Sequence, residues 1–76
     1  MDYVQTNADL SKNLKNVRIK CGLSQAQVAR KLNICRSTYA YYETGKTAPS
    51  IFQLTHLTKI FCVPIMDLIG HHASSV

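Results

Sequence analysis

The segment from Ser24 to Gly45 constrains this chain more than any other, because it encodes two short helices and a tight turn with no length to spare for anything else. Ser24 is a side-chain cap, and Val28, Ala29 and Leu32 then fall on one face of a helix spanning about 25 to 32. Asn33 follows, a residue that tolerates the left-handed conformation a sharp turn requires. A second helix, about 36 to 44, opens on the polar side chains Arg36, Ser37 and Thr38 and stops at Gly45. Helices this short are marginal in water by themselves, so the rest of the chain must supply the surface they pack on.

That support is legible on both sides. From about Asp9, the residues Leu10, Leu14, Val17 and Cys21 make one apolar helical face that ends at Gly22. Lys12, Lys15 and Lys20 form its opposite, solvated face. Arg18 lies beside the apolar stripe, where a guanidinium needs a partner, and Glu43 is the candidate. After Gly45 the run Lys46-Thr47-Ala48-Pro49-Ser50 reads as a basic, hydroxylated loop, with Ser50 capping a fourth helix. Ile51, Leu54, Leu57, Thr58 and Phe61 give that helix its inner face, and Val63-Pro64 ends it. Pro64 suits the first turn of a fifth helix, about 65 to 69, with Leu68 inward and Gly70 as its stop. Residues 1–8 lack periodicity and read as a flexible N-terminal arm, and residues 71–76 as a flexible tail. The expectation is an all-α fold of five short helices forming one compact domain over residues 9–70, without strands, repeats or a second domain.

Several function classes fall away on composition. Seventy-six residues support one small core rather than a large catalytic cleft. Only Asp2, Asp9, Glu43 and Asp67 are acidic, and no phosphate-cradling glycine loop or nucleophile motif occurs, so an enzyme is not expected. Cys21, Cys35 and Cys62 are odd in number and widely spaced, and with His56, His71 and His72 they make no zinc pattern; no metal or cofactor is expected. No membrane-length apolar run or signal-like N-terminus is present, which predicts a cytoplasmic protein with reduced thiols. Nine Lys and Arg give a formal net charge of +5, which favours a polyanionic partner.

Taken together, Asn13-Leu14-Lys15-Asn16-Val17-Arg18, Gly22-Leu23-Ser24-Gln25, Val28-Ala29, Thr38, Tyr42-Glu43-Thr44-Gly45-Lys46, Pro49, Val63 and Leu68-Ile69-Gly70 resemble the Cro/repressor-type (XRE-like) helix-turn-helix family over about residues 10 to 70. The resemblance implies a five-helix, lambda-repressor-like domain whose second and third helices form the helix-turn-helix. It implies a sequence-specific DNA-binding transcriptional regulator, in particular a repressor that binds a near-palindromic operator as a homodimer. Carried over residue by residue, it implies base contacts from Arg36, Ser37 and Tyr41, phosphate contacts from Gln25, Lys46, Thr47 and Ser50, and an ion pair between Arg18 and Glu43.

The chain departs from that pattern in places. Cys35 stands at the third helix's cap, where the family has serine or threonine; a thiol there can respond to oxidation. Tyr39 replaces a branched aliphatic residue in the core, so its hydroxyl needs a partner. Phe52, Ile65 and Met66 stand where polar residues are usual and predict a contact surface on helices 4 and 5. That surface serves either the homodimer or the alternative function, a protein-interaction module that holds an antitoxin- or antirepressor-like partner. A regulatory domain of a larger enzyme or sensor is a further alternative.

Overall fold

The computed structural model describes residues 2–70 of the chain, with side chains over residues 9–70. Five helices follow in order: α1 (Asp2–Lys20), α2 (Gln25–Leu32), α3 (Arg36–Thr44), α4 (Ile51–Phe61) and α5 (Met66–Ile69). No strand occurs among the described residues. The start of α1 corrects the expectation of a helix from Asp9. The apolar period marks where a helix is buried, whereas no proline or glycine interrupts residues 2–20, so the helix continues as far as Asp2. The tail assigned to residues 71–76 lies outside the described residues.

The core draws on every helix: Leu10 and Leu14 of α1, Val28, Ala29 and Leu32 of α2, Tyr39 and Tyr42 of α3, Leu54, Leu57 and Phe61 of α4, and Leu68 of α5. Tyr39 and Tyr42 meet edge to face, with ring centroids 6.0 Å apart, within the range favoured by aromatic pairs. α1 packs across α3 and α5, while α2 packs on α3 and α4. Three expected core members are outside it, Thr58 being only half-buried. Cys21 follows the end of α1 and is exposed, and Ile51 at the first position of α4 is 61% exposed, because the terminal residues of an apolar period point past the neighbouring helix.

Local chemistry fixes the boundaries. Ser24 Oγ accepts from Gln27 N at 3.0 Å, and Gln27 Oε1 accepts from Ser24 N at 2.8 Å, a reciprocal capping box. Asn33 adopts φ 63° and turns the chain out of α2, its N–H donating to the carbonyls of Ala29 and Arg30. Gly45 ends α3 at φ 83°. Ser50 Oγ accepts from Gln53 N at 3.2 Å and opens α4 as expected. The close of α4 differs from expectation: Cys62 takes φ 57°, so a non-glycine residue in the left-handed region makes the stop one residue before Val63.

One long-range clamp has no counterpart in the sequence reading. Asn13, on the buried side of α1, donates both hydrogens of its amide nitrogen, to Leu68 O at 2.8 Å and Gly70 O at 2.9 Å. The four-residue α5 has no side-chain cap, and Asn13 holds its C-terminal end instead. Gly70 is required there, because a Cβ would run into the carbonyl oxygen of Met66.

Candidate functional site

Glu43 organises the region that α2 and α3 present together. Its side chain is 3% exposed and accepts four hydrogen bonds. Arg18 Nε donates to Oε2 at 2.6 Å and Nη2 to Oε1 at 3.1 Å, a two-pronged ion pair. Gln25 Nε2 donates to Oε1 at 3.0 Å, and the Tyr39 hydroxyl to Oε2 at 2.6 Å. Arg18 Nη1 also donates to the carbonyl of Leu23, just before α2, at 2.8 Å. One carboxylate therefore ties α1, α2 and α3 into a fixed arrangement. Burial alone pushes the Glu43 carboxyl upward; the hydrogen bonds from Arg18, Tyr39 and Gln25 outweigh it and hold the group below its ordinary 4.5. The bond to Glu43 raises Arg18, and burial, reinforced by Glu43, raises the Tyr39 phenol, so that hydroxyl stays a donor.

This hub sets the orientation of α3. Tyr39 and Tyr42 face inward, and at ~100° per residue the opposite side carries Ser37, Ala40, Tyr41 and Thr44, with Arg36 at its edge. Arg36, Ser37, Tyr41 and Thr44 are exposed. The three residues expected to touch bases thus lie on the outer half of α3, along a stripe that Arg36 borders. Cys35 occupies the cap position with an exposed thiol and makes no side-chain cap bond, so the first N–H groups of α3 have no acceptor from the cap side chain. Cys35 sits between Arg30 and Arg36 in a shallow depression at the turn.

The expected phosphate-contacting residues lie on either side of that stripe. Gln25 is half-buried, with one amide hydrogen committed to Glu43. The capping box uses the N–H groups of Ser24 and Gln27, and Val28 N returns to Ser24 O at 3.1 Å, leaving those of Gln25 and Ala26 open at the positive end of α2. Lys46, Thr47 and Ser50 are exposed in the loop after Gly45. Lys46 Nζ lies 4.6 Å above the centre of the Tyr41 ring.

The apolar surface expected on α4 and α5 divides. Phe52 is 83% and Met66 62% exposed, whereas Ile65 is half-buried and packs against the core. Among the described residues, no helix is long and apolar enough to cross a membrane, and no cluster of three or more His, Cys, Asp or Glu side chains could hold a metal ion.

A helix-turn-helix family model matches residues 14–68, from Leu14 of α1 to the buried Leu68 of α5. The chain belongs to the Cro/repressor-type (XRE-like) helix-turn-helix family. It is 27% identical over 66 residues to the cryptic phage CTXphi transcriptional repressor RstR of Vibrio cholerae, a match that takes in 87% of this chain and 60% of the repressor. It is 31% identical over 55 residues to an uncharacterized helix-turn-helix-type transcriptional regulator of Archaeoglobus fulgidus, covering 72% of this chain and 79% of that protein. The crystal structure of a transcriptional regulator from Listeria innocua superposes with a TM-score of 0.75 at 35% identity, over 82% of this chain and 58% of that one. The chain therefore spans about three-fifths of the length of two of these relatives.

Proposed function

We propose that this protein is a sequence-specific DNA-binding transcriptional regulator that represses from a near-palindromic operator as a homodimer in the cytoplasm. The observation that carries the reading is the outward stripe of α3, with Arg36 and Ser37 at its open N-terminal end and a basic, hydroxylated loop beside it. In this reading Arg36 gives a two-pronged contact to guanine O6 and N7 in the major groove, and Ser37 reads the neighbouring base. The open amides of Gln25 and Ala26, the second amide hydrogen of Gln25, and Lys46, Thr47 and Ser50 seat the module on phosphates. A repressor and two regulators among the proteins it is similar to, and the net charge of +5, support it.

Titration of a random-sequence duplex by the chain, followed by fluorescence anisotropy at several salt concentrations, tests the electrostatic half. Affinity should fall with a log–log slope of about −0.9 per phosphate neutralised. Salt-insensitive or absent binding would contradict it. The exposure of Phe52 favours a second reading, a protein-interaction module that uses α4 and α5 to hold a partner. That reading gains if the folded chain fails to bind duplex DNA at low salt.

A further inference from the structure

We infer that Tyr41 is a positioning residue: its ring holds the Lys46 ammonium in place for a phosphate, and it does not itself read a base. The inference rests on the DNA-binding reading above and departs from the base contact that the family pattern implies for this position. Gly45, in the left-handed conformation, folds the loop back toward α3, where Thr47 N donates to Tyr41 O at 3.4 Å. Thr44 Oγ1 also donates to that carbonyl, at 3.2 Å, and accepts from Lys46 N at 3.4 Å. These bonds fix the backbone of Lys46 relative to Tyr41, and the ammonium then lies 4.6 Å over the ring centre.

A lysine on a flexible four-carbon stem loses much rotamer freedom when it binds a phosphate. Resting on the electron-rich face of an aromatic ring removes part of that cost beforehand. With one N–H turned toward the ring, the ammonium still has N–H groups on its other side for phosphate oxygens. The occupied face of Tyr41 is also closed to a base. Arg36 and Ser37, more than a turn away, are untouched by this pairing.

The test uses the 76-residue chain in five forms: the parent, Tyr41→Leu, Lys46→Gln, the double variant and, as the conservative control, Tyr41→Phe. Without DNA, the Lys46 Hε protons should show an upfield ring-current shift in the NMR spectrum, kept in Tyr41→Phe and lost in Tyr41→Leu. On a random-sequence duplex, Tyr41→Leu should bind about two- to five-fold more weakly than the parent, and the same change should do nothing once Lys46 is glutamine. Base preference in a selected site should be the same for the parent, Tyr41→Phe and Tyr41→Leu. Additive losses in the double variant, a relaxed base preference in either tyrosine variant, or an unshifted Lys46 signal in the parent would overturn the inference while leaving the DNA-binding reading standing. A folded parent that ignores duplex DNA would overturn both.

Discussion

Cys35 leaves the first turn of α3 without a side-chain acceptor, although its backbone already has the extended φ of −72° and ψ of 150° that a cap uses. Serine in that geometry would accept from the Thr38 amide, as Ser24 and Ser50 do for their own helices. Cys35→Ser should therefore raise stability by about 1 kcal/mol in denaturant unfolding; a loss would show that the thiol makes a contact a hydroxyl cannot. Cys62 is the other residue in a demanding conformation, at φ 57° where glycine or asparagine is favoured. Cys62→Gly relieves that backbone and should stabilise by about 0.5–1 kcal/mol, read in the same experiment.

At the scale of elements, two contacts hold helices in place that their own propensities would not. Glu43 joins α1, α2 and α3, and Glu43→Gln leaves Arg18 buried without its counter-charge, a loss of about 3 kcal/mol or more. The same carboxylate predicts a pH dependence. Its folded value lies below the ordinary 4.5, so the unfolded chain takes up the proton first as the solution is acidified. Its contribution is complete above about pH 4.5 and is lost as pH falls through the folded value. Urea unfolding across that window should show the parent losing stability, with this component absent in Glu43→Gln. Asn13 does the corresponding work for α5, and Asn13→Ala should cost about 1–3 kcal/mol by stripping the donors from Leu68 O and Gly70 O.

These two contacts also mark how far the sequence could be read. The bounds of α2 and α3 and the start of α4 followed from Ser24, Asn33, Gly45 and Ser50, because caps act within a turn of where they stand; the close of α4 at Cys62 did not. The Arg18–Glu43 pair was accessible because a guanidinium beside an apolar stripe demands a partner and acids are few. Asn13 offered only a polar residue at a helical spacing of three from Leu10, and its bonds cross 55 and 57 positions in the chain. The start of α1, the exposure of Cys21 and Ile51, and the inward packing of Ile65 depend on where neighbouring helices end, which no local spacing states. The pairing of Lys46 with Tyr41 likewise depends on the path the chain takes after Gly45.

For the whole molecule, one small core shared by five helices leaves little reserve. A domain this size has about 3–5 kcal/mol to lose, so variants of Arg18, Glu43 or Asn13 must be shown to fold before a binding defect is assigned to an interface. Arg36→Ala and Lys46→Ala are free of that difficulty, because both side chains are exposed and outside the hub. Their expected effects differ: Arg36→Ala relaxes one base position with a loss of about 1–3 kcal/mol, and Lys46→Ala weakens all sequences alike. The chain carries a single α3, so a symmetric operator with half-sites about 34–36 Å apart would require two copies. The central claim is that the α3 stripe reads sequence, and selection of bound sequences from random duplex DNA tests it most directly. The account predicts a two-fold symmetric site with two half-sites one helical turn apart, and Arg36→Ala should lose discrimination at a single base pair in each. No enriched sequence, or an enriched site that Arg36→Ala leaves unchanged, would contradict it.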